Sequence, residues 1–111
     1  MLKRTRVLIV EDEIASISRL YIGLLRMDFT VEVCDNPSEL QQRLARFKPQ
    51  IVVISQKLHQ TSPGTREKFS IPVIQLGIEG NVPADADLAL DRMASLSTIA
   101  KAIENIVAGS K

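Results

Sequence analysis

Three consecutive carboxylates, Glu11, Asp12 and Glu13, close the apolar run Val7-Leu8-Ile9-Val10. Paired carboxylates at such a place could hold a hard divalent cation through oxygen ligands. The same residues would also serve as solvated turn residues, with Glu13 complementing the positive end of a following helix. A second grouping is Ser55 and the sole histidine, His59. A Ser-His relay would need a third, orienting group, and none is evident, so His59 reads as a solvated loop residue. The single cysteine, Cys34, cannot form an internal disulfide and reads as a small buried hydrophobe. Gly77, Gly80 and Pro83 have the wrong spacing for a phosphate cradle. No nucleophile-base pair or metal cluster assembles, and an independent enzyme is not expected.

The elements that must position these residues follow from hydropathy. A run of four β-formers without alternation is how a strand buried on both faces reads, and such a strand belongs inside a parallel sheet. Ligands of such sheets sit beyond the carboxyl ends of the strands, where the acidic tip falls. Ile14, Ile17, Tyr21, Leu24 and Leu25 then recur at helical spacing, opposite Ser16, Ser18, Arg19 and Arg26, and predict a helix ending near Asp28. Phe29 to Cys34 alternates and predicts an edge strand with one wetter face. Asn36-Pro37-Ser38-Glu39 opens a second helix whose buried face is Leu40, Leu44 and Phe47 and which stops before Pro49.

Ile51 to Ile54 and Ile71 to Leu76 predict two more buried strands, Leu88 to Leu90 a short fifth, and Ser95 to Val107 a final helix. Strands and helices alternate, which predicts one layered α/β domain over 1–111. Two connections are short. Ser55 to Ser70 is broken by Pro63-Gly64, leaving at most a turn of helix around Thr65 to Phe69. Gly77 to Asp87 holds Gly80, Asn81 and Pro83 and has no room for a helix with its loops. The third crossover helix is therefore expected to be shortened and the fourth replaced by a loop.

Composition narrows the function classes. At 111 residues, 45% hydrophobic and 24% charged, the chain can bury a single core. A net charge of +1 gives no footprint for nucleic acid or for an anionic membrane. With no apolar segment near eighteen residues and no signal-peptide core, a cytoplasmic location is expected, either alone or as part of something larger.

In this order and spacing, Val7-Leu8-Ile9-Val10-Glu11-Asp12-Glu13, Lys48-Pro49-Gln50-Ile51-Val52-Val53-Ile54, Ile71-Pro72-Val73-Ile74 and Ser95-Leu96-Ser97-Thr98-Ile99 make the chain resemble a response-regulator receiver domain. The resemblance covers nearly the whole chain and implies a CheY-like, flavodoxin-like sheet of five parallel strands in the order 2-1-3-4-5. It also implies the family's site. An acidic pair on the first strand binds magnesium, and an aspartate ending the third strand takes the phosphoryl group. A threonine or serine ending the fourth strand and a lysine ending the fifth contact the phosphoryl oxygens.

Carried onto this chain, the acidic pair is Glu11 and Asp12. The acceptor position falls on Ser55, or on Gln56 with a shift of one, and neither is a carboxylate. The threonine position falls on Gly77, the aromatic switch position on Ala89, and the lysine position on Arg92, with Asp91 as the alternative. A serine hydroxyl is neutral and weakly nucleophilic without an adjacent base, so Ser55 does not replace an aspartate in kind. Arg92 could keep a cation near Glu11 and Asp12, where its fork suits a carboxylate. Magnesium is then expected to bind weakly or not at all, and no other cofactor is expected.

The chain thus resembles the atypical, pseudo-receiver branch of the family, whose members act by protein contacts without aspartyl phosphorylation. The expected function is a signalling module of two-component systems whose partner is a histidine kinase, another regulator, an output domain or a second copy. Two alternatives stand beside it: a small-molecule or nucleotide sensor built on the crevice near Glu11, Asp12, Ser55, Gly77 and Arg92, and a true phosphoreceiver with a non-standard acceptor. Loss of crossover helices should also bare apolar side chains on one sheet face. Ile74, Leu76, Leu88 and Leu90 are the expected interaction residues, unless loop residues such as Leu58 fold over the sheet.

Overall fold

The computed structural model describes residues 4–61, 70–77 and 86–109. Five strands, β1 (Arg6–Val10), β2 (Thr30–Cys34), β3 (Ile51–Ser55), β4 (Val73–Leu76) and β5 (Leu88–Leu90), form one sheet in the order β2-β1-β3-β4-β5. All four pairings are parallel. The expected flavodoxin-like topology is therefore present. Val7 to Val10 pair with Val31 to Cys34 on one side and with Ile51 to Ile54 on the other, so the first apolar run is the middle of the sheet's left half. Parallel strands covered on both faces need apolar residues at every position, and Val7 to Val10 and Ile51 to Ile54 are all buried.

Alternate residues of each strand feed two cores. Val7, Ile9, Val53 and Ile74 join Leu20 and Leu24 of α1 (Ile14–Arg26) and Ile99 and Ile103 of α4 (Leu96–Gly109). Leu8, Val10, Val52, Ile54 and Val73 join Leu40 and Leu44 of α2 (Leu40–Phe47) and Leu58 of α3 (Gln56–Thr61). On the first face the two helices meet directly. A Cβ added at Gly23 of α1 would stand 2.4 Å from the Leu96 side chain of α4, closer than any carbon atoms can pack.

Local chemistry sets the element ends. Helix α1 closes in a Schellman arrangement, with Phe29 N donating to Leu24 O, Asp28 N donating to Leu25 O, and Asp28 left-handed at φ 73. Asn36 caps as expected, its Oδ1 accepting from Ser38 N at 3.1 Å, but a short 3-10 turn, Pro37–Glu39, precedes α2. Lys48, left-handed at φ 53, ends α2 just before Pro49.

Several expectations change. Helix α1 is turned about its axis. Leu20 and Leu24 are buried, whereas Ile14, Tyr21 and Leu25, expected inside, are exposed. The sequence carries two apolar stripes on one helix, and periodicity alone does not say which one the sheet takes. Helix α3 starts at Gln56 directly after β3, earlier than the turn of helix expected for this connection. The turn expected around residues 65–69 and the loop expected over 78–85 lie outside the described residues. The interaction residues are also misplaced. Ile74 and Leu76 are buried and Leu88 and Leu90 pack against the same core, all four on the face that α1 and α4 cover. The period of a strand sends them away from the face that α2 and α3 cover. Among the described residues, no helix is long and apolar enough to cross a membrane.

Candidate functional site

The carboxyl ends of β1, β3 and β4 open into a cleft of about 430 Å³, which Arg92, just beyond β5, also lines. Glu11, Asp12, Ser55, Gly77 and Arg92 all border it, so the structure brings together five residues widely separated in sequence. Gln56, the alternative acceptor position, lines it as well. Asp91 does not compete with Arg92. Its Oδ1 accepts from Met93 N at 2.7 Å, a turn of its own backbone. Ala89 is buried on the far sheet face, across from Gln75, and is not part of the cleft.

The acidic tip is occupied by the protein's own groups. Glu11 is 7% exposed and its Oε2 accepts from the backbone N–H of Asp12 (3.0 Å) and of Glu13 (3.3 Å). A carboxylate folded onto two amides is satisfied without a cation. Asp12 Oδ2 lies 3.2 Å from Lys57 Nζ. Arg92, expected near Glu11 and Asp12, instead donates to Glu13 Oε2 at 2.7 Å, and Ser16 Oγ donates to Glu13 Oε1 at 2.7 Å. The Ser16 hydrogen bond, then the Arg92 guanidinium, hold the Glu13 carboxyl below its ordinary value, and Glu13 in return raises Arg92 further. Arg19 turns away to donate to the Ala94 carbonyl. Glu11, Asp12 and Glu13 are thus balanced on the cleft wall by Arg19, Lys57 and Arg92.

Ser55 does structural work. It ends β3, and its Oγ accepts from Leu58 N at 3.4 Å, the pattern of a helix cap three residues ahead of its donor. That cap explains why α3 starts with no intervening loop. It also relocates His59, expected in a solvated loop, to the inside of a helix, 3% exposed. His59 Nδ1 donates to Gln75 Oε1 at 2.7 Å, and Gln75 Nε2 donates to the Gly77 carbonyl at 2.8 Å. A Ser-His relay is thereby contradicted: His59 belongs to a buried polar bridge on the sheet face opposite α1.

Gly77 holds the cleft floor. Its φ of 110° is costly for any residue with a Cβ, and an added Cβ would lie 3.0 Å from Gln56 Oε1. Its N–H donates to Leu90 O at 2.7 Å, extending the β4–β5 ladder into the site.

The donor set does not suit a resident divalent ion. Hard cations of this kind want several free oxygen ligands, usually carboxylates. Here Glu11 faces backbone amides, Asp12 faces an ammonium, and the third-strand position supplies a neutral hydroxyl. Among the described residues, no group of three or more His, Cys, Asp and Glu side chains is placed to hold a metal ion.

The sequence reading did not place Lys57 at the site, and it took Ser16 and Arg19 only as the polar side of the first helix. For Lys57 a signal existed. Once Ser55 is read as a cap, Lys57 falls in the first turn of a helix at the mouth of the cleft.

No family model and no curated protein matches the chain. Solved structures do. A response regulator from Thermotoga maritima is similar at a TM-score of 0.78 and 16% identity, with 96% of this chain and 99% of that chain covered. The signal receiver domain of a signal transduction histidine kinase from Syntrophus aciditrophicus is similar at 0.74 and 21%, covering 96% and 92%. The N-terminal domain of the nisin resistance regulator, a lantibiotic response regulator, is similar at 0.73 and 17%, covering 95% and 99%. The chain has the fold of response-regulator receiver domains.

Proposed function

We propose that this chain is a receiver-like signalling module that works through protein contacts, without aspartyl phosphorylation and without enzymatic activity of its own. One observation carries the reading. At the end of β3, where the resemblance puts an ionised nucleophile, stands Ser55, whose hydroxyl caps α3. The histidine nearby in sequence does not serve it as a base, being committed to Gln75. The rest of the cleft agrees. Lys57 and Arg92 neutralise Asp12 and Glu13 from within, which leaves a phosphoryl group and its metal little to bind. Gly77 has no hydroxyl with which to follow them. In this reading the chain is cytoplasmic, and its partner is a kinase, another regulator, an output domain or a second copy.

The test is an NMR titration with beryllofluoride and magnesium. The expected result is an unchanged amide spectrum. Shifts centred on Asp12, Ser55 and Gly77 would overturn the reading and restore phosphoryl chemistry.

A second reading has its own support. A cleft of about 430 Å³ lies within the usual range of small-molecule sites, and three carboxylates and three cations on its wall could orient a polar ligand. A thermal-shift screen with nucleotides and polar metabolites tests it, and hits abolished by Arg92→Ala would favour this sensor role over the contact module.

A further inference from the structure

Helix α1 carries more apolar side chain than the domain uses. Of the six large apolar residues exposed among those described, five, Ile14, Tyr21, Ile22, Leu25 and Met27, lie on this helix or at its end. Ile14 is 80% exposed. Residues at i, i+7, i+8 and i+11 share a helix face, so Ile14, Tyr21, Ile22 and Leu25 form a second stripe beside Leu20 and Leu24. Gly23, against Leu96, fixes the side of the helix that α4 occupies, and the stripe lies away from it.

We propose that this stripe is the contact surface through which two copies of the chain associate, their α1 helices packed antiparallel about a twofold axis. Area and charge argue for a second copy. The five side chains present roughly 500 Å² of apolar surface, near the upper end of what a monomer leaves bare. With Ser18, which sits within the stripe, and Arg26 at its edge, this approaches the roughly 800 Å² per partner of a standard interface. The stripe is also self-complementary in charge. At its amino end Asp12 and Glu13 share their charge with Lys57 and Arg92 of the same chain yet keep 36% and 50% of their side chains exposed, and at its carboxyl end exposed Arg26 stands beside the Arg4–Asp28 ion pair. Antiparallel packing sets Arg26 of each copy against the carboxylates of the other and opposes the two helix dipoles. Parallel packing would set like against like. This contact goes beyond the loss of phosphoryl chemistry and does not rest on it.

The test is sedimentation velocity on the full chain from about 10 μM to about 1 mM. Dilution-dependent amide shifts are recorded in parallel. The expected result is a concentration-dependent dimer whose shifts fall on Ile14 to Met27. Ile22→Lys and Leu25→Glu, both at exposed positions, should each weaken association about tenfold or more while leaving far-UV circular dichroism unchanged. Arg26→Glu should weaken it several-fold at low salt, with the effect shrinking at about 0.5 M salt. A chain that stays monomeric to about 1 mM overturns the proposal and leaves the stripe to a different protein. A dimer indifferent to Ile22→Lys and Leu25→Glu, or one whose shifts fall elsewhere, overturns it too.

Discussion

The two faces of the sheet are fed by the same strands and are held down by different forces. Under α1 and α4 every inward residue is apolar, from Val7 and Ile9 through Val53 to Ile74 and Leu76. Under α2 and α3 the pattern is the same along β1 and β3, but β4 contributes Gln75, which His59 meets across the layer. Apolar burial is non-directional and tolerates small slides of a helix over a sheet. A hydrogen-bonded pair in a low-dielectric interior has a fixed length and direction, and it is costly to break. The first face is therefore held by apolar burial alone, while the second adds a directional contact to an apolar core of its own. The second ties α3 to β4 at one point and, through the Gly77 carbonyl, helps set the shape of the cleft floor.

Substitutions on each face test that contrast. Ile74→Ala removes a fully buried side chain from the apolar face and should cost about 2–5 kcal/mol in urea unfolding. Gln75→Ala, one residue along on the other face, should cost less, about 1–3 kcal/mol, by breaking its hydrogen bonds to His59 and to the Gly77 carbonyl. It should also shift the amides of Gly77 and Gln56, which Ile74→Ala should leave nearly unmoved. If Gln75→Ala proves the costlier change and leaves the cleft amides in place, the division of labour is reversed.

The smallest effect belongs to the cleft rim, outside both cores. Glu13 has a folded-state pKa below its ordinary 4.5, so its contribution is present above that value and is lost as pH falls through the lowered one. An NMR titration of its carboxyl carbon should show this. Ser16→Ala and Arg92→Ala should each raise the midpoint, the first by removing the largest single cause and the second by removing a hydrogen bond together with a charge.

What the sequence discloses follows from how each force writes itself into residues. Strands buried on both faces leave unbroken apolar runs, and Val7 to Val10 and Ile51 to Ile54 were legible to within a residue. The convergence of Glu11, Asp12, Ser55, Gly77 and Arg92 followed from the strand order, because parallel strands bring their carboxyl ends to one edge. Side-chain partners were not legible. Whether Arg92 meets Asp12 or Glu13 is a matter of a few ångströms that no periodicity encodes. The reading of His59 failed because Ser55 was weighed as a nucleophile and not as a cap. Helix α1 failed differently, since Ile14, Tyr21 and Leu25 fit a core stripe as well as Leu20 and Leu24 do.

Strand β2 stands at the border of the sheet, with no strand beyond it among the described residues to match one row of its backbone donors and acceptors. Such a row invites addition of a foreign strand, the route by which sheets grow without limit. Midway along it sits Glu32, 3.6 Å from Arg43 of α2. A second β2 arriving antiparallel and centred on that residue would set carboxylate against carboxylate. The charge at the centre of the border strand thus disfavours the pairing of two such strands edge to edge.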